Sequence, residues 1–195
     1  MNKLAMLRHG HTEWNRAGRI QGRTDIPLDG QARTDLSGFA LPEGWKDADV
    51  VSSPLGRAKE TAEIVSGRPP NIVPELMEMD WGQWEGKKGV ELKADPASGF
   101  RDIEQWGWDY RPPEGESPAD VKARLLPWLA SLKRDCVAVC HIGIMRIVLA
   151  QASGWNFSGP PPFRIKRNRL FIVDITPDGL RIADPDIVRL EPQAS

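Results

Sequence analysis

An arginine and a histidine directly follow a short apolar run near the start of the chain. Residues 4–7 are apolar, and Arg8, His9 and Gly10 come next. The run predicts a buried strand, and in open α/β sheets ligands bind at the carboxyl ends of the strands. Transfer of a phosphoryl group to a side chain needs a fixed cation beside a histidine whose free nitrogen can attack phosphorus. These residues therefore predict phosphoryl-transfer chemistry.

Three further segments place charged side chains after apolar runs. Arg57 lies in the first turn of a helix that follows a predicted strand, Glu78 comes after a short strand, and His141 follows residues 136–140. In a doubly wound sheet all these segments end at one edge, where helix N-termini supply N–H donors to an anion. Two arginines, two histidines and one carboxylate suit a phosphomonoester dianion.

Each of these side chains, taken alone, also has a structural interpretation. His9 could be a hydrogen-bonded structural histidine, Arg57 a solvated helix cation, and Glu78 a surface carboxylate. For His141 at a strand end, the structural and functional interpretations are balanced. Independent surface residues have no reason to occupy matching strand ends, so the combination favours a functional site.

Alternating strands and helices must position these residues. The predicted strands are residues 3–8, 49–52, 72–73, 136–140, 170–175 and 180–183. The last two of these strands are expected to pair. The predicted helices are residues 29–39, 54–67, 117–132 and 143–152. Asp29 is expected to cap the first helix, and Pro54 to sit in the first turn of the second. The pattern predicts an α/β single-domain three-layer sandwich over residues 1–195, with a mainly parallel sheet and helices on both faces. Residues 78–116 have weak periodicity and are predicted to form a lid or cap segment.

The charge balance and the chain start narrow the function classes. The 195 residues include 26 basic and 27 acidic side chains, for a net charge of −1. That balance gives no support for nucleic-acid or membrane-surface binding. Neither a signal peptide nor a membrane-spanning run is predicted, so a cytoplasmic location is expected.

Two other groups of residues have alternative interpretations. Cys136 and Cys140 share one face of a predicted strand and are too far apart for a relaxed disulfide, which favours buried structural thiols over a redox or metal pair. Trp106, Trp108 and Tyr110 form a cluster that is either core or cap packing, the favoured interpretation, or a substrate-facing wall.

Motifs spread over most of the chain resemble those of the histidine phosphatase superfamily, in its phosphoglycerate mutase-like branch. They are Leu-Arg-His-Gly-His-Thr-Glu-Trp-Asn at 7–15, Gly-Arg-Ile-Gln-Gly at 18–22, Pro-Leu-Asp-Gly at 27–30, Ser-Ser-Pro-Leu-Gly-Arg-Ala at 52–58, Thr-Ala at 61–62, Glu-Leu-Met-Glu at 75–78, Trp-Gly-Gln-Trp-Glu-Gly at 81–86, Gly-Glu-Ser at 115–117 and Val-Cys-His at 139–141. In combination these motifs are highly specific.

The resemblance implies a role for each matching residue. His9 would be the nucleophile that becomes phosphorylated, and Glu78 the acid that protonates the leaving oxygen. The other implied site residues contact the phosphoryl group: Arg8, Arg57, His141, Asn15 and Gln21. The resemblance implies no metal and no cofactor, and a small-molecule phosphomonoester as the substrate. It is compatible with a homodimer.

Two positions depart from the pattern of the superfamily. Ile142 stands where the family usually has glycine, and an isoleucine would be strained there if the position needs a positive φ. A substrate contact through the backbone N–H of Ile142 would survive. His11 stands where glutamate or glutamine is common. Both changes leave the implied catalytic groups intact.

The mechanism needs a neutral His9 and a protonated Glu78. The charges of Arg8 and Arg57 disfavour a cationic His9, and a backbone carbonyl is expected to orient its other nitrogen. A raised pKa for Glu78 is expected either from Asp80 and Glu85 or from apolar neighbours.

Three functions fit these residues. The first is a phosphomonoesterase, and the second is a phosphoglycerate mutase. The resemblance implies that mutases carry extra chain between the acid and the second histidine, and the span from Glu78 to His141 is short, which favours the phosphatase. The third, less favoured, is a catalytically silent domain that binds phosphorylated ligands or a protein partner. Residues 75–79 and Ile142 are also similar to those of α-ribazole phosphatases, a weak indication of substrate.

Overall fold

The computed structural model describes residues 2–193, so Met1, Ala194 and Ser195 of the predicted domain lie outside the described residues. The strands within this range are β1 (Asn2–Arg8), β2 (Phe39–Ala40), β3 (Asp49–Ser52), β4 (Asn71–Ile72), β5 (Cys136–Cys140), β6 (Arg169–Thr176), β7 (Gly179–Arg189) and β8 (Glu191–Pro192). The α-helices are α1 (Glu13–Arg16), α2 (Gly30–Ser37), α3 (Gly56–Ser66), α4 (Gly89–Ala94), α5 (Pro118–Ser131) and α6 (Ile142–Ser153). None of the helices described here has the length and apolar character of a membrane span.

The central sheet has the strand order β4-β3-β5-β1-β6-β7. The first four strands are parallel, which confirms the predicted mainly parallel sheet, and β6 and β7 pair antiparallel with their neighbours. After α6 the chain returns to the carboxyl edge of β1, where Arg167 donates to the carbonyl of His9. Because β6 starts from this edge, it runs opposite to β1.

Alternate residues of β1 face opposite helical layers. Leu4 and Met6 belong to the hydrophobic core that includes residues of α5 and α6, whereas Ala5 and Leu7 belong to the core that includes residues of α2 and α3. This alternation follows from the two-residue period of side chains along a strand. The predicted helices on both faces of the sheet are therefore confirmed.

Side-chain caps determine where two of the helices begin. The Asp29 carboxylate accepts from a backbone N–H in the first turn of α2 at 2.7 Å, and Ser117 forms a capping box with Asp120 at the start of α5. The expected position of Pro54 is wrong, because α3 begins only at Gly56. An Asp25 oxygen accepts from the backbone N–H of Gly56 at 2.9 Å, which fixes this later start.

The predicted end of the first long helix at Phe39 is also wrong. Gly38 follows the last residue of α2, and Phe39–Ala40 forms β2, which pairs antiparallel with β8. Two-residue strands have no periodicity to detect in a sequence, so neither β2 nor β8 was predicted. Strand β7 is longer than predicted, and β4 lies one residue earlier than predicted.

The segment 78–116 contains little regular structure. Its helical parts are α4 and two 3-10 turns, at Gly82–Trp84 and Pro96–Ser98. This content agrees with the weak periodicity of the sequence. A role as a lid or cap stays a prediction.

Aromatic packing holds this segment against the core. Trp84 is 2% exposed, and its ring centroid lies 6.3 Å from that of Trp106 and 6.1 Å from that of Tyr110. Trp108 packs edge-on against Phe157, with 5.0 Å between the ring centroids. These contacts support the packing interpretation of the aromatic cluster.

The two cysteines are buried free thiols on one face of β5. Burial, with a smaller effect from Asp49, raises the pKa of Cys136 to about 12, and burial also raises the pKa of Cys140. Both shifts disfavour the thiolate that redox or metal chemistry uses. Cys136 and Cys140 are thus buried free thiols, as the structural interpretation predicted.

Candidate active site

Two neighbouring parallel strands bring the histidines together, as their positions at strand ends predicted. The backbone N–H of His9 donates to the carbonyl of Cys140 at 3.0 Å, directly after β1 and β5 end. The two imidazole centroids are 5.1 Å apart. His9 is 4% exposed and His141 is fully buried.

The backbone orients the imidazole of His9. Its Nδ1 lies 2.6 Å from the carbonyl oxygen of Gly10, which can only accept a hydrogen bond. The proton of a neutral His9 therefore sits on Nδ1, and Nε2 keeps its lone pair. Burial, and then the charges of Arg57, Arg8 and Arg167, lower the pKa of His9 well below its ordinary value. Both expectations about His9 agree with the structure.

Backbone carbonyls hold the guanidinium of Arg57. This fully buried side chain, in the first turn of α3, donates to Gly22 O at 2.6 Å and to Thr24 O at 2.9 Å. The nearest carboxylate is that of Asp25, at 3.8 Å and half exposed. Because the close partners are uncharged, most of the positive charge of Arg57 stays available to an anion.

Ser53 contacts the imidazole of His141. The Ser53 hydroxyl lies 2.8 Å from His141 Nε2, and its oxygen already accepts from the backbone N–H of Leu55 at 3.3 Å. When the hydroxyl donates to Nε2, the proton of a neutral His141 sits on Nδ1. Burial, and then His9 and three arginines, lower the pKa of His141 well below its ordinary value.

Asn15 and Gln21 belong to one hydrogen-bonded group with Thr12. Thr12 caps α1, and its side chain and that of Asn15 form a capping box. Gln21 Oε1 accepts from Thr12 Oγ1 at 2.9 Å and from Asn15 Nδ2 at 3.0 Å. Thr12 is fully buried and was not singled out in the sequence.

Glu78 is buried between two backbone N–H donors. Its Oε1 accepts from Met79 at 2.8 Å, and its Oε2 accepts from Gly143 at 3.1 Å. A Cβ at Gly143 would lie 2.3 Å from Glu78 Oε1, so only glycine permits this approach. Burial raises the pKa of Glu78, against the opposing effects of the N–H donors and of Arg57 and Arg146. Burial, rather than Asp80 or Glu85, is therefore the cause of the raised pKa.

Arg124, which the sequence analysis missed, braces the backbone on either side of Glu78. From α5 it donates to the carbonyls of Glu75 and, at 2.7 Å, Met77. It also pairs with Glu116 at 3.3 Å, and Glu116 accepts from the backbone N–H of Asp80 at 2.9 Å. Nothing in the local pattern of a helical arginine distinguishes this role from that of a solvated cation.

Two further arginines, Arg146 and Arg167, approach the site, and the sequence analysis missed both. Burial, and then Arg146 on α6, lower the pKa of Arg8 to about 10. Burial, and then Arg8, lower the pKa of Arg167 to about 9. Both values are above neutral pH, so Arg8 and Arg167 stay cationic and add to the positive charge of the site.

Buried donors without partners are concentrated in this site. Within residues 2–193, five buried side-chain nitrogen or oxygen atoms have no hydrogen-bond partner, and four of them are site nitrogens: Arg8 Nε, Gln21 Nε2, Arg57 Nε and His141 Nδ1. Buried polar groups are nearly always paired, so an unpaired cluster of this kind indicates a site for an acceptor. Charged and neutral donors together suit the oxygens of a phosphoryl group.

The structure explains how both departures from the superfamily pattern are accommodated. Ile142 is the first residue of α6, and it is not among the non-glycine residues of the described chain that have a positive φ. It is therefore unstrained, and its N–H, in the first turn, has no partner within the helix. His11 Nε2 lies 3.0 Å from Arg167 Nη1 and accepts from it.

The side chains of the site do not form a metal centre. Across residues 2–193, no three or more histidine, cysteine, aspartate or glutamate side chains group so that they could hold a metal ion. The site residues are mostly hydrogen-bond donors, which suit an anion better than a cation.

A family model agrees with these features. The model of the histidine phosphatase superfamily (branch 1) matches residues 4–186, and so nearly the whole chain. The chain belongs to the histidine phosphatase superfamily.

Known members of this superfamily resemble the chain over much of its length. The glucosyl-3-phosphoglycerate phosphatase of Mycobacterium tuberculosis is 36% identical over 165 residues, which are 76% of this chain and 74% of that protein. A probable phosphoglycerate mutase of Salmonella arizonae is 32% identical over 137 residues, 67% of this chain and 63% of that protein. A solved phosphoglycerate mutase from Thermus thermophilus is 33% identical, with a TM-score of 0.71 over 98% of this chain and 99% of that chain. The relatives are thus phosphatases and mutases, which supports one of these two activities.

Proposed function

We propose that this protein is a metal-independent phosphomonoesterase that hydrolyses a small phosphorylated metabolite through a phosphohistidine on His9. The observation that carries the proposal is the set of unpaired buried donors on Arg8, Gln21, Arg57 and His141 around a neutral, oriented His9. This set supplies positive charge and hydrogen bonds to phosphoryl oxygens, and such stabilisation is the main catalytic contribution in phosphoryl transfer.

The first step transfers the phosphoryl group to His9. The lone pair of Nε2 attacks phosphorus, and the bond from phosphorus to the ester oxygen breaks. That oxygen takes the electron pair of the broken bond and a proton from Glu78. The raised pKa of Glu78 favours the protonated form that this step needs. The lowered pKa of His9 favours the neutral imidazole.

The second step releases the phosphoryl group to water. Glu78, now a carboxylate, accepts a proton from water as the water oxygen attacks phosphorus. The bond between phosphorus and Nε2 breaks, and its electron pair returns to the imidazole. Orthophosphate leaves, and His9 and Glu78 regain their starting protonation states. The neutral His141 donates from Nδ1 to the phosphoryl oxygens throughout.

A mutase is the second candidate, because two of the relatives described above carry that name. A mutase would return the phosphoryl group from His9 to a bound phosphoglycerate rather than to water. Assays with phosphoglycerates and a bisphosphate primer separate the two activities. A panel of phosphomonoesters that includes glucosyl-3-phosphoglycerate and α-ribazole phosphate would identify the substrate. The cytoplasmic location and a homodimer stay predictions from the sequence.

Trapping the intermediate tests the mechanism directly. Rapid acid-free quenching with phosphoryl-labelled substrate, followed by peptide mapping, is expected to place the label on His9. The adduct should be labile in acid and stable in base. Two displacements should give net retention at a chiral phosphorus. Label on another residue, or inversion, would contradict the covalent mechanism.

The variant His9→Ala provides the matched control. It should keep its circular dichroism spectrum, take up no label, and lose at least about 1,000-fold in kcat/KM because no other nucleophile can replace the imidazole. Activity within about tenfold of the wild type would refute the role of His9. An absence of turnover on the whole panel, with phosphate still bound, would favour the silent binding domain.

A further inference from the structure

Arg167 lies outside every motif quoted above, and it donates hydrogen bonds to three groups of the phosphoryl-binding region. Its Nε donates to the carbonyl of His9 at 3.0 Å, and its Nη1 donates to His11 Nε2 at 3.0 Å. Its Nη2 donates to Asn15 Oδ1 at 2.8 Å. The last of these bonds determines what the neighbouring amides can do.

The orientation of the Asn15 amide follows from the chemistry of arginine. A guanidinium has donors and no acceptor, so the Asn15 atom that faces Arg167 must be the oxygen. The backbone N–H of Thr12 donates to the same oxygen, at the longer distance of 3.3 Å. The amide nitrogen of Asn15 therefore points the other way, at Gln21.

The same reasoning then applies to Gln21. The atom that faces Asn15 Nδ2 must accept, so it is Oε1, at 3.0 Å. Thr12 Oγ1 accepts from the backbone N–H of Asn15 at 3.2 Å, which leaves its proton free for Gln21 Oε1 at 2.9 Å. Because Gln21 Oε1 already accepts two hydrogen bonds, only the Nε2 hydrogens of Gln21 are left to bind a ligand. Gln21 Nε2 is buried and has no hydrogen-bond partner.

We propose that Arg167 is a positioning residue that orients the amides of Asn15 and Gln21 so that Gln21 presents its side-chain amide nitrogen, and not its oxygen, to the phosphoryl group. This inference rests on the proposed phosphoryl-transfer function. If the amides were flipped, the acceptor Oε1 would face the phosphoryl oxygens and repel them. Arg167 thus acts on the phosphoryl group through two amides, in addition to any effect of its charge.

A double-mutant cycle tests this coupling. Arg167→Met and Gln21→Met are each expected to lower kcat/KM by about 10- to 100-fold. Gln21→Met removes the hydrogen bond from the amide nitrogen to the phosphoryl group, and Arg167→Met removes the group that orients this amide. The double variant should fall no more than about threefold below Gln21→Met, because the two residues act in series. Losses that multiply in the double variant would overturn the proposal.

The matched control is Arg164→Met. Arg164 lies three residues earlier on the same segment, is exposed, and has no hydrogen bond among the described residues. We expect its kcat/KM to stay within about twofold of the wild type, which separates the position of Arg167 from the general loss of a cation. A loss equal to that of Arg167→Met would also overturn the proposal.

A spectroscopic measurement adds a readout on the wild-type protein that does not depend on turnover. Addition of inorganic phosphate should shift the side-chain amide proton resonances of Gln21, and Arg167→Met should abolish the shift. An unchanged Gln21 signal in phosphate-bound wild type would refute the inference. A protein that binds phosphate through Gln21 but never forms phosphohistidine would refute the proposed function alone.

Discussion

His9 and His141 stand at the ends of strands, whereas Glu78 stands on irregular backbone. The histidines are placed by the ladder between β1 and β5, in which Arg8 pairs with Cys140. The backbone of Glu78 is instead held by the guanidinium of Arg124, and its carboxylate by the N–H of Gly143. Hydrogen bonds between backbone atoms persist when side chains are substituted, whereas the hydrogen bonds of the Arg124 side chain are lost when Arg124 is substituted. Remote substitutions should therefore weaken acid catalysis more readily than phosphoryl binding.

After His9→Ala, the largest expected effect is on the phosphoryl-binding side of the site. Arg57→Ala should lower kcat/KM by about 100- to 1,000-fold and weaken inhibition by vanadate to a similar extent, because both depend on charge stabilisation of phosphoryl oxygens. Steady-state kinetics with vanadate titration measures both. Arg33→Ala, which removes an exposed arginine paired with Glu60 on the helical surface, is the control and should stay near wild type. Unchanged vanadate affinity in Arg57→Ala would place Arg57 outside the phosphoryl site.

The next effect distinguishes the acid from the phosphoryl-binding groups. Glu78→Gln should lower kcat/KM about 100-fold or more for alkyl phosphates but about tenfold or less for aryl phosphates, since a good leaving group needs little protonation. The measurement is the ratio of the two losses. Arg57→Ala should lower kcat/KM equally for the alkyl and the aryl phosphates. Equal losses in Glu78→Gln would mean that Glu78 is not the acid.

A smaller effect tests the brace itself. Arg124→Met should lower kcat/KM by about tenfold for alkyl phosphates and by little for aryl phosphates, because it displaces Glu78 without touching the phosphoryl-binding donors. Vanadate inhibition should stay unchanged. The comparison variant is Arg134→Met, whose arginine is 80% exposed. If Arg124→Met instead weakened vanadate binding, the two sides of the site would not be separable.

The pH dependence of kcat/KM follows from the two opposite pKa shifts. His9 must be neutral, so its lowered pKa moves the acid limb below the ordinary value of 6.5. Glu78 must be protonated, so its raised pKa moves the alkaline limb above the ordinary value of 4.5. Both shifts enlarge the population with neutral His9 and protonated Glu78. Glu78→Gln should remove the alkaline limb and keep the acid limb. An acid limb above pH 6.5 would contradict the lowered pKa of His9.

The smallest expected effect is that of metal removal. Chelators such as EDTA should leave kcat/KM unchanged, because Arg8, Arg57 and the other donors account for the charge of the phosphoryl group. Activity that is lost in EDTA and restored by a divalent cation would show that the reaction depends on a metal ion.

Part of the site could be predicted from the sequence because its signals are local. Apolar runs that end in Arg8, His9 and His141 predict strand ends, and the order of strands and helices then places those ends at one edge. The superfamily motifs added Asn15 and Gln21, and they gave Glu78 its role as the acid. The antiparallel direction of β6 had no local signal, since it follows from where the preceding segment crosses the sheet edge.

The sequence by itself determined which chemical groups the strands deliver, because strand periodicity and the residues that end a run are properties of neighbours in the chain. Only the tertiary structure decided how those groups are held. Arg167 and His9 are 158 residues apart in the sequence, Gly143 and Glu78 are 65 apart, and Arg124 and Met77 are 47 apart. No pattern within a window of neighbours can record such pairs, since each forms only when the packed sheet and helices bring distant segments into contact.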